Sequence, residues 1–351
     1  MINDKNQTQE GGNSSTNFQG GTIVVNNGLS YKEAKEIAQD VFNANFLELS
    51  TKAAAVSHKR AEELVECFLE ELKKAAPENI NTVEDPGMQF ALYNAQVNYA
   101  KTGDRDLADL LVKMLIDRSY QKQRNFHQIV LDESLNTVAK LTTDQVNTLT
   151  VVFVLKYTSN KKVKSPNELC EMLTKMISPF AFCLKSNSSL YQHLEFSACA
   201  SVTIMTQEIG EILRASYGGL FQRGLSKEEI EAKLQENLSS YPELIRQSYR
   251  DESLFQINAL NDRDLESYCA KNGIEGVVLA KLKAFFQANT FDNSVIEQEF
   301  LMLPGFEILF DVWKNSSLST LDLTTVGMAI GQANLKAKAG ISIELDSWFG
   351  V

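Results

Sequence analysis

Three histidines, His58, His127 and His193, are the side chains best suited to proton transfer or metal binding near neutral pH. Each falls in a separate predicted helix, and none has another histidine or a cysteine pair at ligand spacing, so no metal site is expected. Arg124 precedes His127 by three residues, at the start of a helix predicted from about residue 123 to 140. The acid pairs Glu62-Glu63, Glu70-Glu71 and Glu228-Glu229 are adjacent, point in different helical directions and read as solvated faces. The hydrolase elbow Gly-x-Ser-x-Gly, the zincin pair His-Glu-x-x-His and the phosphate loop Gly-x4-Gly-Lys-Ser/Thr do not occur, so no cofactor is expected.

Composition narrows the partners. With 44% hydrophobic and 23% charged residues the chain reads as an ordinary globular protein, and its net charge of −11 argues against coating nucleic acid. Lys161-Lys162-Val163-Lys164 is too short to reverse that and reads as a solvated loop. Cys67, Cys170, Cys183, Cys199 and Cys269 are odd in number and form no Cys-x-x-Cys pair, the pattern of reduced thiols in a cytoplasmic protein. The opening MINDKNQTQEGG has no charged-then-apolar leader pattern, and no apolar run approaches the ~18 residues of a membrane span.

The elements that must position these residues are mainly helical. Residues 1–29 form an Asn/Gly-rich head in which Phe18 to Val25 suits one short strand. Ser30 and Glu33 then make a capping box, and apolar residues recur at helical spacing from Ala34 onward. Asp85-Pro86, Asp104, Thr142-Gln145, Ser165-Pro166 and Ser226-Glu229 open further helices, with a stop at Gly103. Helices are also expected over 189–200 and 203–217, and short strands at Leu254–Ile257 and Ile341–Ile343. The fold expected is mainly α, a multi-helix bundle or helical array in two domains, 30–160 and 161–351, the second carrying a minor β component.

The stretches QGGTIVVNNGLSYKEAKEIAQDVFNANF, YAKTGDRDLADLLVKMLIDRS, VLDESLNTVAKLTTDQVNTLTVVFVLKY and LTTVGMAIGQANL resemble a family of uncharacterised bacterial helical proteins, over most of the chain. That family resemblance implies an intracellular helical protein with no assigned activity, and the Leu-Thr-x-x-Gly ending is similar to endings in some bacterial abortive-infection proteins. Arg124-Asn125-Phe126-His127 resembles the Arg-Asn…His signature of HEPN ribonucleases, with two intervening residues where that family has four to six. That resemblance implies Arg124 and His127 as catalytic residues of a nuclease-like effector. Gln19, Gly21 and Asn26 resemble the Gln-x-Gly…Asn core of RHIM-like amyloid signalling motifs.

The reading that follows is a non-enzymatic interaction protein that forms homo-oligomers and binds a protein partner, in bacterial defence or stress signalling. Phe18, Gln19, Gly21, Ile23, Val24, Val25 and Asn26 are its expected self-association residues, being uncharged, free of proline and rich in β propensity. Two alternatives stand beside it: the nuclease-like effector, and a membrane-acting effector that would expose an amphipathic surface on activation.

Overall fold

Polar side chains at helix starts divide the chain into its elements. The computed structural model describes residues 29–45, 51–236, 241 and 243–344. The strand expected over Phe18–Val25 and the self-association residues lie outside them. The Ser30 N–H donates to Glu33 Oε2 at 2.9 Å and the Glu33 N–H to Ser30 Oγ at 3.3 Å, closing the box at the head of α1 (Tyr31–Asn45). α2 (Thr51–Ala75) buries Leu64, Val65, Phe68, Leu69 and Leu72 on one stripe. After a 3-10 segment over Pro77–Glu84, Asp85 accepts from the Met88 N–H to open α3 (Pro86–Thr102). Gly103 ends it at φ +65°, where the Arg60 guanidinium also leaves no room for a side chain. Asp104, Asn125 and Ser165 cap α4 (Arg105–Ser119), α5 (Phe126–Val138) and α7 (Pro166–Ala181), and the Thr142–Gln145 box opens α6 (Thr143–Tyr157) between the last two.

The middle of the chain departs from its apolar periodicity. The helix expected over 189–200 is α8 (Ser188–Phe196), and the one expected over 203–217 is the shorter α9 (Ile209–Tyr217). Ala198 at φ +55° breaks the first, and the β-branched Val202, Thr203 and Ile204 favour extended backbone in between, where β1 (Ala200–Val202) forms. The Ser226–Glu229 box opens α10 (Lys227–Leu234). β2 (Ile245–Gln247), β3 (Phe255–Ile257), α11 (Asp262–Lys271), α12 (Gly276–Ala288), α13 (Asn293–Phe300) and α14 (Phe306–Asn315) follow. β4 (Leu321–Leu323) leads into α15 (Thr325–Ala339). Among the described residues the strands form two antiparallel pairs, β1 with β4 and β2 with β3. The strand expected at Ile341–Ile343 is not one of them; instead the Ile343 carbonyl accepts from Gln332 Nε2 at 2.9 Å.

Two helices apolar almost all round make the frame. α6 is buried from Gln145 to Leu155 without a break, and α15 buries Gly327 and every residue from Ala329 to Leu335. They pack on each other, and α15 also lies against α4, α5 and α7. Close approach comes from glycine: a Cβ on Gly327 would overlap the Cys199 carbonyl, and one on Gly331 would stand 2.9 Å from the Leu149 carbonyl oxygen. The polar atoms trapped between the two helices are paired, Asn334 Nδ2 donating to Thr150 Oγ1 at 2.8 Å and Asn147 Oδ1 at 3.2 Å. One apolar cluster therefore runs from Ala34 to Leu335, with members on both sides of residue 160. A second, including Ile230, Ile257, Leu265, Leu282 and Phe286, fills the lobe of α10 to α12 with β2 and β3.

Candidate functional site

The second half of α15 and the C-terminal end of α4 form two walls of a polar cleft of about 480 Å³. The turn after α4 and the first turn of α5 complete it, bringing Asp117, Tyr120, Gln121, His127, Gln332 and Lys336 together under residues 342–344. Lys336 sits in the last turn of its helix, where the dipole favours a cation, and its Nζ lies 2.6 Å from Asp117 Oδ1. Both side chains are about one-fifth exposed, at 23% and 21%, so the pair is shielded without being dry. Asn125 Oδ1 caps α5 through the Gln128 N–H at 2.7 Å, while its Nδ2 donates to Gln121 Oε1 at 2.9 Å. Gln121 Nε2 is in turn 3.4 Å from His127 Nδ1. Arg118, itself buried, braces the turn from below by donating to the Gln121 carbonyl at 3.2 Å and to Asp132 Oδ1 at 2.7 Å.

Chemically this is a place for hydrogen bonding. The carboxylate and ammonium neutralise each other, and His127, at 9% exposure, is held by its neighbours in the α5 first turn. Among the described residues no three His, Cys, Asp or Glu side chains are grouped to hold a metal ion. Arg124 is exposed and precedes the Asn125 cap, so it is not on α5, which begins at Phe126 and not near residue 123 as expected. Reading Asn125 as the cap, with Gln128 three residues on, would have placed that boundary from sequence. Asp117 and Lys336 were not legible as partners, being 219 residues apart. His58 on α2 packs edge-on to Phe42, and His193 on α8 has Nδ1 2.8 Å from Gln145 Nε2. The five cysteines are all unpaired.

A second surface is apolar. The four most exposed large apolar side chains among the described residues are Ile204, Met302, Phe196 and Met205. Phe196, Ile204 and Met205 flank β1, whereas Met302 lies in the turn before α14. Gly305 abuts Ala181 and the Phe182 ring, Ser316 Oγ donates to Tyr191 OH at 2.9 Å, and the Thr203 N–H donates to the Thr320 carbonyl at 2.9 Å.

A protein-family model whose description reads only ":-like" matches residues 28–349. The chain belongs to that family. The match takes in the cleft, the apolar surface and the LTTVGMAIGQANL stretch that becomes β4 and α15, and it begins two residues after Asn26. The family is uncharacterised and brings no activity with it. No curated protein and no solved structure matches the chain. Among the described residues no helix is long and apolar enough to cross a membrane.

Proposed function

We propose that this protein is a non-enzymatic interaction protein of the cytoplasm that assembles with copies of itself through the head residues Phe18 to Asn26, in bacterial defence or stress signalling. The observation that carries the interaction reading is the exposure of Phe196, Ile204 and Met205, which flank β1 within ten residues of chain, since large exposed apolar side chains concentrated in one short stretch mark contact surfaces. The five unpaired cysteines support a reducing compartment. Light scattering on the full chain and on a chain beginning at Gly28 tests the role of the head. The full chain should be larger than the 39.2 kDa monomer and the shortened chain should not. Ile23→Asp should reproduce the shortening by placing a charge in a desolvated strand. Equal sizes for all three would overturn the assignment.

One observation favours a second reading. His127 lines a 480 Å³ cleft beside Asp117 and Lys336, an arrangement suited to a nuclease-like effector that uses His127, with the exposed Arg124 three residues before it but not among the lining side chains. Comparing RNA cleavage and growth arrest between the protein and His127→Ala separates the two. Activity lost in the variant favours the effector; no activity in either favours the interaction protein.

A further inference from the structure

The β1–β4 pair has one side covered and one side open. The Thr203 N–H donates to the Thr320 carbonyl at 2.9 Å and the Thr324 N–H to the Cys199 carbonyl at 3.0 Å. With Ser201 opposite Asp322, antiparallel alternation turns the N–H and C=O groups of Ala200 and Val202 away from β4. On the far side of β4, Lys156 Nζ takes the Leu321 carbonyl at 3.0 Å, and Tyr157 OH takes the Leu323 N–H at 2.9 Å. No strand pairs with the outer side of β1 among the described residues. The Val202 N–H is met there by Oε1 of the exposed Glu195 at 3.2 Å, a contact that an incoming carbonyl can replace.

Natural edge strands are guarded by charge, proline or cover. The strand itself supplies neither of the first two, since the twelve residues from Phe196 to Gln207 contain no charged side chain and no proline, and the charge that meets its outer edge is the carboxylate of Glu195, from the end of α8. Ile204, just after β1, is fully exposed, and Phe196, at the end of α8, is 87% exposed. An edge of this kind is built to be covered.

We propose that the outer edge of β1 accepts Thr22–Val25 of a second copy of this chain as an added strand. The inference rests on the head-driven assembly proposed above and names the surface that receives the head. Thr22-Ile23-Val24-Val25 is uncharged, free of proline and β-branched throughout, the composition that suits strand addition to an edge of matching length. Reach argues for a second copy. The Leu29 N–H is anchored on Asn81 Oδ1 at 2.8 Å, in the 3-10 segment, and the four residues from Val25 to Leu29 span at most about 14 Å. That segment packs mainly on α1, α2 and α3 and β1 mainly on β4 and α8; one route of extensive packing between them runs through α3, α5, α15 and β4, and each helix layer adds about 8–10 Å. Two copies exchanging heads around a two-fold axis, or a ring in which each head reaches the next copy, would leave no edge open.

Two measurements test this on the full chain. In the first, differently tagged copies carrying Ile23→Cys and Ile204→Cys are mixed under mild oxidation, with each single variant alone as control. A disulfide-linked pair of unlike tags, well above both controls, is expected, and a yield no greater than the controls would overturn the proposal. In the second, Ile204→Lys with Met205→Lys charges the edge at two exposed positions the fold does not need, and its mass by light scattering is compared with that of the chain beginning at Gly28. Both are expected to be monomers, the edge variant near 39.2 kDa and the shortened chain lighter by its 27 missing residues. A monomeric shortened chain beside an edge variant of unchanged mass would overturn β1 as the acceptor and leave head-driven assembly standing. A monomeric edge variant beside a shortened chain of unchanged mass would mean that β1 pairs with its own copy, overturning the head as occupant. Unchanged mass in both would overturn both readings.

Discussion

Lys156→Met tests whether a buried cation holds the small sheet in place. Lys156 is at the C-terminal end of α6 with its side chain 5% exposed. Its Nζ donates to the carbonyls of Ser319 at 3.1 Å and Leu321 at 3.0 Å and to Asp322 Oδ1 at 3.2 Å. Methionine keeps the length and the apolar stem but removes every donor. Each buried carbonyl left without a partner costs about 1–3 kcal/mol. Removing the ammonium also removes its desolvation penalty, which offsets part of that loss. The net expectation is about 2–4 kcal/mol, drawn from the β1–β4 joint. Hydrogen exchange reads it locally: the Thr203 and Thr324 amides, which bond across the pair, should exchange roughly 30- to 700-fold faster, at tenfold per 1.4 kcal/mol. Exchange within threefold of the unaltered protein would refute the reasoning. Because the same joint presents the β1 edge, the variant should also lose assembly mass.

Further outcomes follow from single contacts. Gly327→Val should cost at least about 3 kcal/mol in urea unfolding or leave the chain insoluble, because its Cβ would overlap the Cys199 carbonyl, which is backbone and cannot swing aside. Burial pushes the Cys199 thiol up to about 12, so iodoacetamide at pH 8 should leave it unmodified in the folded protein and reach it on unfolding, as peptide mapping would show. The hydrogen bond from Lys113 Nζ to Glu71 Oε2 at 2.7 Å holds the Glu71 carboxyl below the usual carboxylate range. A lowered folded value contributes stability above the unfolded pKa of about 4.3 and loses it as pH falls through the folded value. The stability gap between the protein and Lys113→Gln should therefore be constant above about pH 5 and close below pH 4 in acid denaturation.

The legible parts of this fold are the local ones. Ser30 with Glu33, Thr142 with Gln145 and Ser226 with Glu229 form their capping boxes because both partners lie within one turn, where sequence spacing is spatial spacing. What spacing could not supply is which helix meets which. Nothing within the LTTVGMAIGQANL stretch says that its glycines meet the carbonyls of Cys199 and Leu149, more than a hundred residues earlier, or that Lys336 seeks Asp117. The misplaced helices have local causes. Asn125 starts α5 after Arg124, and the small residues Ser197 to Ser201 carry too little apolar periodicity to separate a helix end from a strand start. A usable signal for the apolar edge was present all the same, in the absence of charge from Phe196 to Gln207.

The cleft and the edge share one support. α15 holds Gly327 against Cys199, next to β1, and nine residues later places Lys336 in the cleft, about 14 Å along the same helix by its rise. Its burial between Ala329 and Leu335, with Asn334 bonded to Asn147 and Thr150, ties it to α6 by close packing and by paired polar atoms. The region that looks least like a surface site in sequence, a small-residue apolar helix near the end of the chain, is thus what fixes the position of both surfaces that could meet a partner. Substitutions within it should act on the fold, whereas Lys336, in its last turn, and Ile204, just beyond β1, are where the proposed ligand binding and assembly would be altered separately.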